Sequence, residues 1–202
     1  MTILVLDSRW PDMIPLAAAT NLEGPITYTD EVPVSVRWNL EDISATQSAQ
    51  GTLVTTDPAD PEAQERISAG ERRIEAPSLA DPLLQAQSIM RAARSRGEWE
   101  MAQTHETLIT YLEQETNELI EAIRNQHPDE ALKKELSDLL LQILFHAEIA
   151  SRRGAFAFPD VAQAFVDKMK NRAPYLFDGS TGTVPVDKQD RLWAEGKRKE
   201  KN

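Results

Sequence analysis

Two acidic pairs, Glu115-x-x-Glu118 and Glu135-x-x-Asp138, have the residue types and spacing best suited to chemistry in this chain. A separation of three residues puts both members of a pair on one face of a helix. The second pair opens the segment 135–150, ELSDLLLQILFHAEIA, which is apolar on nearly every face. A helix of that kind belongs in a core, where an uncompensated carboxylate costs on the order of several kcal/mol. Four carboxylates meeting on facing helices form an oxygen-rich cage suited to Mg²⁺, or to Mn²⁺ as its substitute. Such a cage predicts a metal-dependent enzyme acting on phosphates. The competing readings are ordinary ones. A single E-x-x-E is common on solvated helices, and Glu135 with Asp138 also suits a buried salt bridge to an arginine or lysine from elsewhere. Gln142, one turn after Asp138, either orients the cage or makes a core contact.

The cationic counterpart lies downstream. Lys168 and Arg172 share a helix face, and a forked guanidinium beside an ammonium suits a polyphosphate. Trp193 and Lys197 repeat the same spacing, so an aromatic ring can cover a base while a lysine meets phosphate, or the tryptophan can simply dock the last helix. From Lys168 onward there are nine basic residues against five acidic ones. Upstream, Trp99-x-x-x-Gln103-Thr104-His105 precedes the first acidic helix, and His105 also fits a plain helix-start residue.

Composition narrows the function further. The formal net charge of −11 argues against a nucleic-acid partner. Residues 1–84 carry 5 Arg, no Lys and 14 Asp+Glu, whereas the remaining residues are nearly balanced. No cysteine is present, which excludes disulfides, thiolate metal sites and cysteine nucleophiles. Three scattered histidines do not suggest a His-rich zinc site. No apolar run approaches a membrane span, and the start, MTILVLDSRW, lacks the basic region of a secretory signal, so a cytoplasmic location without membrane partners is expected.

Two regions with different patterns must position these residues. Eight of the twelve prolines lie in the first 84 residues. There the pattern predicts strands at 3–6, 33–39, 52–56 and 73–76, a polar loop at 43–51 and a short helix at 61–69, a small α/β region without a Gly-rich phosphate loop. From Asp81 the chain reads as helical, over 82–96, 104–125, 129–153, from 159 to before 173, and from 188 to near the end. The expected fold class is therefore mainly α, with a boundary near residues 80–81: residues 1–80 form a small α/β region of unknown role and residues 81–202 an all-α catalytic domain.

Taken in order, W-x-x-x-Q-T-H, L-x-x-E-x-x-E, E-L-x-D-L-L-x-Q, K-x-x-x-R-x-P and W-x-x-x-K resemble the MazG nucleoside triphosphate pyrophosphohydrolases over roughly residues 83–202. The leading region resembles, more weakly, the short N-terminal extension of actinobacterial members. One position departs from the family pattern, E-E-x-x-E: Gln114 stands at its first acidic place. The resemblance implies an all-α bundle and Mg²⁺-dependent cleavage of a (deoxy)nucleoside triphosphate to the monophosphate and pyrophosphate, in housecleaning of standard or damaged nucleotides. It also implies metal binding and catalysis by Glu115, Glu118, Glu135 and Asp138. Substrate contacts would come from Lys168, Arg172, Trp193, Lys197, Gln103 and His105, and the chain would form a homo-oligomer, a dimer first of all. The alternatives are a catalytically weak nucleotide-binding or regulatory module, and a narrow-specificity enzyme for dUTP, dCTP or phosphoribosyl-ATP.

Overall fold

A computed structural model describes residues 1–41 and 46–200. The chain forms two compact units, Met1–Ala86 and Gln87–Asn202, and passes from one to the other within a helix.

The first unit is built on a four-stranded parallel sheet. Its elements are β1 (Thr2–Val5), α1 (Leu16–Ala19), β2 (Glu23–Tyr28), α2 (Val34–Glu41), β3 (Thr46–Thr55), α3 (Pro61–Ser68) and β4 (Arg72–Glu75), with strand order β2-β3-β1-β4. Central β1 pairs with β3 through Ile3 and Leu53 and with β4 through Leu4 and Ile74. All four of its residues are buried, as expected of a parallel strand covered on both faces, and this is why residues 3–6 read as an unbroken apolar run. Leu4, Leu6, Leu22, Val36, Leu40, Val54 and Ile74 form the core. α3 begins at Asp60, whose carboxylate accepts the backbone N–H groups of Glu62 and Ala63 at 2.9 and 3.1 Å.

Two sequence expectations fail in this unit. Residues 33–39, read as a strand from their Val-x-Val alternation, lie almost entirely in helix α2. Val36 and Leu40, four residues apart, are buried while Val34 is exposed, so the helical period and not the alternation carries the burial. The expected loop at 43–51 is strand from residue 46 onward, where β3 pairs with β2; residues 43–45 lie outside the described residues. Tertiary pairing overrides the polar composition there. Strand β2 and the four-residue α1 are additions that no pattern signalled.

The second unit is helical: α4 (Pro82–Arg96), α5 (Glu98–Ala102), α6 (Ile109–Arg124), α7 (Asp129–Arg152), α8 (Phe158–Arg172) and α9 (Val186–Lys199). These match the expected helices, except that residues 104–108 precede α6 and α5 is an extra turn of helix. α6 packs along α7, and α8 packs on both α7 and α9. Leu108, Ala122, Leu144, Phe145, Ala147 and Ala150 are buried. The expectation that α7 is enclosed on every side holds for residues 144–150, where Leu144, Phe145, Ala147, Ile149 and Ala150 are buried; before them, Leu136, Leu141 and Ile143 are exposed within a single chain. Among the described residues no helix is long and apolar enough to cross a membrane.

Candidate metal and nucleotide site

The α6–α7 hairpin sets the height of the acidic residues. Gln126 takes a left-handed conformation (φ 52°) in the turn, and the His127 N–H bonds back to the Ala122 carbonyl at 2.9 Å, closing α6 just before Pro128 opens α7. Glu118 lies six residues before the end of α6 and Glu135 six residues after the start of α7. At 1.5 Å per residue both sit roughly 9 Å from the turn, so the antiparallel helices bring them level.

The structure brings carboxylate oxygens of Glu115, Glu118 and Glu135 within 4.8 Å of one another. Asp138 stands outside this triad but is joined to it: the Lys134 ammonium lies 3.2 Å from Glu135 Oε1 and 3.2 Å from Asp138 Oδ2. Burial, followed by the charges of Glu118, Asp138 and Glu135, raises the Glu115 carboxyl above the usual carboxylate range. The Glu135 side chain is 13 % exposed, and its Oε2 is buried without a hydrogen-bond partner among the described residues. A buried carboxylate oxygen left unpaired among like charges fits a hard divalent cation. Among the described residues, Glu135 and Asp138 pair not with a cation from a distant element but with the neighbouring, exposed Lys134. Gln114 donates from Nε2 to Glu118 Oε1 at 2.9 Å, so the residue at the family's first acidic place supports a carboxylate by a hydrogen bond. Gln142 is 4 % exposed, and its Oε1 has no hydrogen-bond partner.

The expected cationic residues divide. Arg172 and Trp193 meet where α8 packs on α9, the guanidinium carbon 5.2 Å from the indole ring, beside a cavity of about 150 Å³ lined in part by Met169, Tyr175 and Gln189. Arg172 also forms a forked salt bridge with Glu200, which holds the Glu200 carboxyl down to about 2. Gly196 permits this approach, since a Cβ there would stand 2.8 Å from the Asn171 carbonyl oxygen and 2.9 Å from Arg172 Cα. Lys168 and Lys197 are exposed.

Gln103 and His105 are engaged within the unit. Gln103 donates to the Trp99 carbonyl at 2.9 Å and accepts from Thr107 Oγ1 at 2.8 Å. Buried Arg94 donates to the Gln103 carbonyl at 3.0 Å, and Trp99 makes T-shaped ring contacts with Tyr111 and Phe145. His105 Nδ1 lies 2.8 Å from His146 Nδ1, and Arg153 donates to His105 Nε2 at 3.1 Å. An acceptor at Nε2 puts the His105 proton on Nδ1, making His105 the donor and His146 the acceptor. Burial pushes the His146 imidazole below its ordinary value. Sequence reasoning missed Lys134, Glu200, Gly196 and His146. Lys134 carried one available signal, its four-residue spacing to Asp138.

Comparison with known proteins finds relatives for both units. The MazG N-terminal domain model matches residues 1–74, and the MazG nucleotide pyrophosphohydrolase domain model matches residues 103–177. Both matched stretches are similar to the MazG family. The second MazG match contains both acidic pairs, Lys168 and Arg172. The nucleoside triphosphate pyrophosphohydrolases of Mycolicibacterium smegmatis and Mycobacterium tuberculosis are 38 % and 37 % identical over the whole chain. The chain spans 63 % of the length of each of these two relatives. The nucleoside triphosphate pyrophosphohydrolase/pyrophosphatase MazG of Thermotoga maritima is 47 % identical over 97 residues, 47 % of this chain and 38 % of that protein. A crystal structure of a mazG-related protein from Thermotoga maritima shares the fold, with a TM-score of 0.50 and 24 % identity, covering 56 % of this chain and 97 % of that one.

Proposed function

We propose that this chain is a nucleoside triphosphate pyrophosphohydrolase, cutting between the α and β phosphates of a (deoxy)nucleoside triphosphate to release the monophosphate and pyrophosphate. The observation that carries the reading is the Glu115/Glu118/Glu135 cluster with its unpaired, buried Glu135 Oε2. Glu115, Glu118, Glu135 and Asp138 would hold Mg²⁺, or Mn²⁺ in its place. When bound, the cation supplies charge neutralisation of the triphosphate and a lowered pKa for the attacking water.

The chain's own residues do the rest. Glu118, or a neighbouring carboxylate not committed to the cation, takes a proton from the water as its oxygen attacks the α phosphorus. Gln114 keeps Glu118 oriented through its hydrogen bond. The bridging oxygen then leaves with the β phosphorus as pyrophosphate, whose charge Lys168, Arg172 and Lys197 hold, while Trp193 covers the base. Gln103 and His105 support this site from within the unit, because their side chains tie residues 97–108 to α7 and to one another. The physiological role that suits this chemistry is housecleaning of standard or damaged nucleotides. The exposed Leu136 and Ile143, seven residues apart on one face of α7, support a homodimer in which a second copy covers that face.

The test is product analysis with each of the eight standard (d)NTPs, in Mg²⁺ and in EDTA. Metal-dependent monophosphate plus pyrophosphate is expected, and the spread of rates reports how far the pocket reads the base. Release of orthophosphate and nucleoside diphosphate would place the cut at another bond and overturn the reading. Asp138→Ala should abolish turnover and keep the helical circular dichroism signal. Unchanged turnover in that variant would remove the acidic cluster from the mechanism.

A further inference from the structure

We infer that Lys134 is a built-in counter-ion of the acidic cluster, which a divalent cation must displace, and that it thereby sets how tightly this chain holds its metal. The inference rests on the metal-site reading proposed above. The Lys134 ammonium bridges Glu135 Oε1 and Asp138 Oδ2, at 3.2 Å from each. Among the described residues no other lysine or arginine is ion-paired to Glu115, Glu118, Glu135 or Asp138.

The helix alone does not explain this placement. A cation four residues before an anion is the less favourable order along a helix, the acid-first order being preferred. What holds the ammonium there is the pair of carboxylates it touches, Glu135 and Asp138, within a cluster whose Glu115 also feels its charge. Glu115, Glu118 and Glu135 already crowd within 4.8 Å of one another, and Asp138 adds its charge to the same cluster. Lys134 cancels one of those charges and binds one oxygen of each acid on α7. Both oxygens are thereby occupied by an ammonium, and a divalent ion would meet like charge at its door.

The displacement is mechanically easy. The Lys134 side chain is 65 % exposed on a flexible four-carbon stem, so it can swing into water without disturbing packing. Lys133, next in sequence, provides a natural comparison. It is equally a lysine of α7, but it pairs with Glu130 and takes no part in the cluster.

Mn²⁺ binding to the full chain, followed by the paramagnetic resonance of free Mn²⁺ or by calorimetry in the absence of nucleotide, tests this without reference to turnover. Lys134→Gln should tighten Mn²⁺ binding about tenfold, the scale of losing two exposed ion-pair contacts. Lys134→Arg should keep the wild-type affinity within about threefold, and Lys133→Gln, which changes the net charge equally, should shift it less than twofold. Equal effects of Lys133→Gln and Lys134→Gln, or none from either, would overturn the inference. Asp138→Asn separates the two levels of failure. If that variant weakens Mn²⁺ binding and Lys134→Gln does nothing, the cluster is the metal site and only the role of Lys134 falls. If Mn²⁺ binding is absent in wild type or indifferent to Asp138→Asn, the metal-site reading falls and takes this inference with it.

Discussion

Glu135→Gln should make the metal-free protein more stable and the enzyme almost inactive. The substitution keeps the shape of the side chain and removes one charge from the carboxylate triad. At 4.8 Å, two unit charges repel by about 3.5 kcal/mol at an effective dielectric of 20 and about 1 kcal/mol in bulk water. Glu135 is mostly buried while Glu115 and Glu118 are half-buried, so relief of about 1–3 kcal/mol is the working range. Against it stands the weakened contact with exposed Lys134, about 0.2–1 kcal/mol. The repulsion wins, and the melting temperature in EDTA should rise by a few degrees. The buried Oε2 has no partner to lose, and an amide in its place can donate to the neighbouring acids. Turnover should fall by more than the about 100-fold typical of losing a supporting group at a metal site. The assay is differential scanning fluorimetry in EDTA and in saturating Mn²⁺, paired with pyrophosphate release. A lower melting temperature in EDTA would show that the carboxylates do not repel as the structure implies. A Mn²⁺-induced shift equal to that of wild type would show that Glu135 holds no metal.

Three further outcomes follow from other parts of the second unit. Gly196→Ala drives a methyl group into the Asn171 carbonyl and Arg172 Cα, which are backbone atoms that cannot yield cheaply; a loss of about 1–3 kcal/mol in urea unfolding and a raised KM for nucleotide are expected, and a neutral result would refute the close approach of α8 and α9. Because burial holds His146 below its ordinary value, the unfolded chain binds more protons at this residue than the folded one. Stability from His146 is therefore complete above the unfolded pKa of about 6.5 and is lost as pH falls toward the lowered folded value, with a slope of up to about 1.4 kcal/mol per pH unit. Urea midpoints at pH 5 to 8 should show that slope diminished in His146→Gln, and an identical pH profile would contradict it. Replacing exposed Leu136 and Ile143 by serine should shift the species seen by light scattering toward monomer while leaving the circular dichroism spectrum unchanged; a wild-type monomer would refute the covered-face argument.

Local signals made the helical unit legible. Asp81-Pro82, Pro128-Asp129 and Phe158-Pro159 mark helix starts, and a proline's fixed φ acts within a residue or two, so the boundaries of α4, α7 and α8 fall almost where the pattern puts them. The first unit was less legible. A parallel sheet is held by pairings between distant segments, and β2 with its Pro25 and β3 with its polar residues carry little strand preference of their own. In α2 the alternation of Val34 and Val36 and the helical spacing of Val36 and Leu40 compete, and only packing on the sheet chooses between them.

The sequence by itself determined which residues could act: two acidic pairs at helical spacing, a cationic set after them, and family motifs joining both. Tertiary structure decided what each of them meets. Whether Glu115, Glu118 and Glu135 converge depends on the register of two antiparallel helices, which the turn at Gln126 fixes and no single-helix period contains. The partners of the charged and titratable groups outside a single helix were decided at the same level: Glu200 on Arg172 and His146 on His105. Charge pairing depends on distances of a few ångströms in space, and a linear pattern carries those distances only between neighbours on the same helix.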